Sequence, residues 1–132
     1  VAKAKIDLDP KGEITYEREV SIPTPSGKAL KVSFTFKQRT REQMAELLDT
    51  YIAKARESAK QELPEDAKMV DQVEQSIASD VSAILDVASG WNVDGYEFTS
   101  VNLTKFLRLY PGAAMAIVTD YRISQTEGRL GN

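Results

Sequence analysis

Two stretches decide the fold: Ile14-Thr-Tyr-Glu-Arg-Glu-Val-Ser-Ile22 and Leu30-Lys-Val-Ser-Phe-Thr-Phe-Lys37. In the first, Ile14, Tyr16, Val20 and Ile22 fall on one side and Thr15, Glu17, Glu19 and Ser21 on the other, with Arg18 the one residue that breaks the apolar row. In the second, Leu30, Val32, Phe34 and Phe36 oppose Lys31, Ser33, Thr35 and Lys37. Alternation of period two marks a strand with one covered face. Pro23-Thr-Pro-Ser-Gly-Lys28 between them is made of turn-forming residues, so residues 14–37 read as a β-hairpin. Such a hairpin is marginal alone in water, and the rest of the chain must supply a cover for its apolar face.

Past the hairpin the period changes from two to three or four. Thr40-x-x-Gln43 is a capping box, in which hydroxyl and amide satisfy free N–H groups at a helix start. The stripe Met44, Leu47, Leu48, Tyr51, Ile52, Ala55 follows, and Pro64 divides it from a second stripe, Val70, Val73, Ile77, Val81, Ile84, Leu85, Ala88, that closes near Gly90. Asp94-Gly95 makes a turn. A short third helix starts near Thr99 or Ser100 and carries Leu103, Phe106, Leu107 and Tyr110; Pro111 breaks it and suits the first turn of a fourth, with Ala114, Ile117, Val118 and Tyr121. The expected fold is α+β, mostly α: an N-terminal β-hairpin followed by about four amphipathic helices. It forms one domain, residues 1–132, with an arm over 1–13, a helical part over 40–123 and a polar tail over 124–132.

Composition narrows the chemistry. A length of 132 residues suits one domain with a real core. The sequence has no cysteine and no histidine, which excludes a thiolate nucleophile, a Cys/His zinc site, a Ser-His-Asp triad and histidine acid–base catalysis. The longest apolar stretch lies around Ala113–Val118, far below the ~20 residues that span a bilayer. Val1-Ala-Lys-Ala-Lys-Ile-Asp7 lacks the apolar core of a secretion signal. A cytoplasmic protein with no membrane partner is expected.

The remaining motifs fail one by one. Asp7-x-Asp9-x-Lys11-Gly12 imitates the start of a calcium loop, but Lys11 and Arg18 stand at ligand positions five and twelve. Gly90-Trp-Asn-Val-Asp-Gly95 continues with Tyr96 where a phosphate loop needs Lys-Ser/Thr, and no Ser-x-x-Lys occurs. Asp71, Glu74 and Asp80 lie on the polar side of the second helix, where nothing marks a cleft. No catalytic residue, metal site or cofactor is expected, and the chain reads as a non-enzyme.

Charge is divided along the chain. Through Glu62 there are 12 basic and 10 acidic residues, and from Leu63 onward 5 and 10. The basic segment Lys28–Arg41 and the acidic segment Pro64–Ala88 are solvated faces, or they meet different partners or each other's copies. Nucleic acid fits neither half, because the basic run Lys28–Arg41 is short and the chain carries a net charge of −3. Trp91, the single tryptophan, is either a plug where the chain turns or an anchor for a partner. The hairpin strands carry edges that proteins protect or use, and edge-to-edge assembly into a homo-oligomer is one such use.

A resemblance narrows these options. Trp91, Asp94-Gly95, Phe98, Asn102-Leu103, Leu107, Tyr110-Pro-Gly-Ala113, Ala116-Ile117, Tyr121 and the ending Gly128-Arg-Leu-Gly-Asn132 resemble the C-terminal half of phage tail assembly chaperones from long-tailed phages and prophages. The aromatic strand Val32-Ser-Phe-Thr-Phe36, leading through Thr40-Arg41 into a helix, resembles the first half. The resemblance implies a non-enzymatic protein that binds the tape measure protein, keeps it soluble and promotes tail tube polymerisation. It further implies possible contact with the tail tube protein, work in the host cytoplasm and absence from the mature virion. Trp91, Phe98, Phe106 and Tyr110, aromatics gathered beside a turn, are the residues expected near the client. The rival classes are a minor tail protein retained in the virion and a small regulatory or inhibitor protein that binds one folded partner.

Overall fold

The computed structural model describes residues 2–128 of the chain; the Arg129-Leu-Gly-Asn132 ending quoted above, the last four residues of the expected tail, lies outside them. In order, the elements are β1 (Thr15–Ile22), β2 (Leu30–Lys37), α1 (Arg41–Lys60), α2 (Met69–Val87), β3 (Ala88–Trp91), α3 (Ser100–Leu109) and α4 (Ala113–Thr126). The architecture is the expected one, a hairpin followed by four helices.

β1 and β2 pair antiparallel, with Val20 opposite Val32 and Tyr16 opposite Phe36. Gly27, at φ +85°, closes the turn by donating its N–H to the Thr24 carbonyl at 3.0 Å. Period two then gathers Val20, Ile22, Val32, Phe34 and Phe36 on one face, and all five are buried. Their cover is Val81, Ile84 and Val87 of α2, Leu103, Phe106 and Leu107 of α3, and Ala113, Ile117 and Tyr121 of α4. Each large apolar side chain so buried contributes about 1.5–3 kcal/mol, which is why the hairpin persists here and would not alone.

Arg18 does not break the apolar row in the sense the alternation suggests. It sits on the core face with the other even-numbered residues of β1 and is only 8% exposed, as is Asp120 of α4. Its Nε and Nη2 donate to the two carboxylate oxygens of Asp120 at 3.0 and 2.9 Å. The planar guanidinium matches the carboxylate in a two-pronged pair, so the charge enters the core neutralised, and the Asp120 carboxylate raises the Arg18 pKa.

Three boundaries differ from expectation. The second helix stops at Val87, not near Gly90, and Ala88–Trp91 forms β3, which pairs antiparallel with β2 to give the sheet order β1-β2-β3. Ser89-Gly90 is weak helix sequence, while β2 offers an open edge whose unmet backbone groups the extended chain satisfies. The fourth helix begins at Ala113, after a turn over Pro111-Gly112, so Pro111 stands outside it. Its far end runs to Thr126, two residues beyond the start of the expected polar tail. Ser124 and Gln125 are fastened there: the Tyr16 hydroxyl meets Ser124 Oγ at 2.8 Å and donates to Gln125 Oε1 at 3.2 Å, and Gln125 Nε2 donates to the Arg39 carbonyl at 3.0 Å.

The capping box at α1 is complete, with the Gln43 N–H on Thr40 Oγ1 at 3.1 Å and the Thr40 N–H on Gln43 Oε1 at 2.9 Å. Yet α1 buries none of its 20 residues. Met44, Leu47 and Tyr51 rest half-buried, while Leu48 and Ile52 stay about half exposed at 50% and 47%. Met69, Val70 and Val73, the beginning of the α2 stripe, are exposed as well.

Candidate partner-binding groove

The four aromatics expected to face a client are brought together by different elements. Trp91 ends β3, Phe98 lies in the loop after it, and Phe106 and Tyr110 lie on α3 and at its C-terminal end. Trp91 stands edge-on to Phe98, to Phe106 and to Phe34 of β2, with ring centroids 5.4, 5.4 and 6.2 Å apart, and Phe106 meets Tyr110 at 5.3 Å. These spacings fall in the range where edge-to-face rings attract.

They do not share one role. Phe106 is buried, while Trp91, Phe98 and Tyr110 are half-buried. Trp91, Phe106 and Tyr110 line a groove of about 440 Å³ between β2, the loop Asn92–Tyr96 and α3. Phe98 lines no part of it and packs behind Trp91. Trp91 therefore packs on the core rings Phe34 and Phe106 and also lines the groove.

The groove is held open by local bonds. Trp91 Nε1 donates to the Tyr96 carbonyl at 2.8 Å, which fixes the indole. Asn92 continues the sheet edge, donating its N–H to the Ser33 carbonyl at 3.0 Å and accepting the Ser33 N–H on Oδ1 at 2.8 Å. Gly95, at φ +80°, permits the Asp94-Gly95 turn. Thr99 caps α3 by accepting the Asn102 N–H at 3.1 Å, and Asn102 Nδ2 ties back to the Glu97 carbonyl at 2.9 Å. The loop is thus pinned at both ends by bonds within the chain.

Further lining residues were not singled out by the sequence. Leu30, Tyr96 and Leu109 place apolar surface in the groove, with Leu109 68% exposed and Tyr96 57%. Lys31, Lys105 and Asp94 stand among them. The signal available for Leu109 was its position: it lies off the α3 stripe of Leu103, Phe106 and Leu107 and so has no core to enter. The wall is concave and largely apolar, with two lysines at it.

A larger cleft of about 670 Å³ lies between residues 10–14, the end of β2 and the start of α1. Its lining is more polar, and Arg39 is already engaged there, donating to the Tyr121 hydroxyl at 3.0 Å and to the Asp86 carbonyl. Tyr51 meets Asp86 at 3.2 Å at this junction, and burial with the carboxylate pushes its hydroxyl up to about 12. These bonds make the cleft a structural joint between β2, α1, α2 and α4. Among the described residues no cluster of Asp and Glu could hold a metal ion, and no helix is long and apolar enough to cross a membrane.

The phage tail assembly chaperone family matches residues 1–132, the whole chain. No curated protein and no solved structure matches it.

Proposed function

The chain belongs to the phage tail assembly chaperones, and on that premise we propose that it binds the tape measure protein, keeps that long protein soluble and promotes polymerisation of the tail tube around it. The aromatic groove walled by Trp91, Phe106 and Tyr110 receives an apolar segment of the client. The protein works in the cytoplasm of the bacterial host, contacts the tail tube protein, catalyses no reaction and leaves before the virion is complete. The observation that carries the reading is a pre-formed apolar groove with exposed Leu109 and Tyr96, in a family that assembles tails. A sequence without cysteine or histidine supports binding over catalysis.

Co-expression with a tape measure protein tests it. The native chain should raise the soluble yield of the client and co-purify with it. Trp91→Ala is a poor probe alone, because Trp91 also packs on Phe34, Phe98 and Phe106. Leu109→Asp is cleaner, since its side chain supports no core contact; it should reduce client capture about ten-fold or more while circular dichroism stays unchanged. Undiminished capture by the folded Leu109→Asp variant would remove the groove from the mechanism. Stoichiometric recovery of the protein in purified particles would instead identify a structural tail component.

A further inference from the structure

The arm before the hairpin carries a pattern the fold leaves unused. Ala2, Ala4, Ile6 and Leu8 alternate with Lys3, Lys5, Asp7 and Asp9, a strand-like run of period two. In the structure these residues belong to no strand, and Ile6 and Leu8 are 71% and 84% exposed. An exposed alternating apolar face has the composition of a strand that lacks its sheet.

A matching edge exists on the same molecule. Among the described residues no strand lies beyond β1. The Gln38 N–H donates to the Ile14 carbonyl at 2.8 Å, so the even-numbered residues of β1 spend their backbone groups on β2. Thr15, Glu17, Glu19 and Ser21 therefore turn theirs outward, as antiparallel alternation requires. Along that edge, between β1 and α4, runs a groove of about 380 Å³ lined by Val20, Pro23, Met115, Ala116 and Ile123 among others. Met115 is 74% exposed there.

We propose that the arm of one copy of this chain adds to the open edge of β1 in a second copy as a further strand. Charge selects the occupant. The edge presents Glu17 and Glu19 on its solvent face, so β1 of a second copy, laid antiparallel on it, would set these glutamates against each other. The arm brings Lys3 and Lys5 on the matching face. The groove selects the register. A parallel arm with Lys3 beside Glu17 and Lys5 beside Glu19 puts Ile6 next to Val20 and Leu8 next to Ile22, over the groove, and leaves Asp7 and Asp9 beside Ser21 and Pro23. Ala4 falls beside Arg18, where a small side chain respects the Arg18–Asp120 pair. The antiparallel register that puts Leu8 beside Val20 sets Asp9 against Glu19. In the chain itself, Pro10 and Gly12 line the cleft beside the end of β2 and the start of α1, on the β2 side of β1 and not along its open edge.

The absence of native cysteine makes cross-linking a direct test. A chain bearing Lys5→Cys, mixed with a chain bearing Glu19→Cys and oxidised, should give a covalent dimer far above what either forms alone, because neighbouring strands hold opposed Cα atoms about 5 Å apart, within disulfide reach. In sedimentation of the full chain, Ile6→Asp with Leu8→Asp should abolish association. Glu17→Lys with Glu19→Lys should weaken it about ten-fold, and mixing in chains carrying Lys3→Glu and Lys5→Glu should restore it. These positions are exposed, and circular dichroism confirms that each variant is folded. A monomeric native chain at tens of micromolar, or association untouched by the Ile6 and Leu8 changes, overturns the proposal. So does a disulfide within one chain of a Lys5→Cys, Glu17→Cys double variant that stays monomeric, since that reports the arm folded back on its own β1. None of these readouts uses the client, so the outcome is independent of the aromatic groove.

Discussion

α1 and α3 invert the usual relation between a helix's local signals and the use the fold makes of it. α1 is 20 residues long, starts with both bonds of a capping box, and buries nothing. α3 has ten residues and a single Thr99 side-chain cap, yet buries Leu103, Phe106 and Leu107. Isolated helices under about 12–15 residues are marginal in water, so α3 exists because the hairpin face needs it. α1 has the length and the cap to hold itself, and it lies across the body through Met44, Leu47 and Tyr51. The difference teaches that capping and propensity tell where a helix begins, whereas burial follows from the face the hairpin offers. The molecule is consequently closed around its sheet and open along α1 and the start of α2.

The contrast can be broken most forcefully from the core side. Asp120→Ala removes the two-pronged partner of a buried guanidinium and should cost about 3–5 kcal/mol in denaturant unfolding; a cost below 1 would mean that water or another group takes the place of the carboxylate. Next come two leucines. Leu103→Ala in α3, fully buried, should cost about 2–5 kcal/mol, while Leu48→Ala in α1 should stay within about 0.5. Comparable losses at the two would show that α1 is packed after all. Thr40→Ala should remove about 1 kcal/mol, felt as faster amide exchange confined to α1 with little change in the global midpoint. The smallest effect belongs to Asp80. Burial raises its carboxyl above the ordinary 3.8, so the folded state holds that proton more tightly than the unfolded state does. This contribution is fully present below pH 3.8 and is lost as pH rises through the folded value, leaving a cost at neutrality. Asp80→Asn should therefore raise the melting temperature slightly at pH 7 and leave it unchanged near pH 3.

Much of this division was legible in advance, for reasons that differ between residues. Alternation from Ile14 to Lys37 marked the hairpin because one face is covered and the other is wet, and the stripes through Val81 and Leu103 marked helices because the cover is continuous. β3 was not legible: four residues are too few to show a period, and Ala88 completes the α2 stripe on paper before the chain turns extended. Arg18 looked like an error because charge counts against a core position until Asp120, far along the chain, is known to meet it. The aromatic cluster was legible in its members, since Trp91, Phe106 and Tyr110 do line one groove. Its partition was not, because Phe98 falls behind Trp91, and Leu30, Tyr96 and Leu109 join only where three separate elements converge.

The Arg18–Asp120 pair joins residues 102 positions apart, and this separation has a temporal meaning. During synthesis the hairpin emerges first, with Val20, Phe34 and Phe36 bare on one side. The helix that supplies Ile117, Asp120 and Tyr121 comes after every other described element. At about 5–20 residues per second, roughly 5–20 s pass between the appearance of the arginine and of its carboxylate. Through that interval the strand residues lack the α4 part of their cover and the arginine lacks the carboxylate it meets in the fold, so the core closes only once Ile117, Asp120 and Tyr121 have been made.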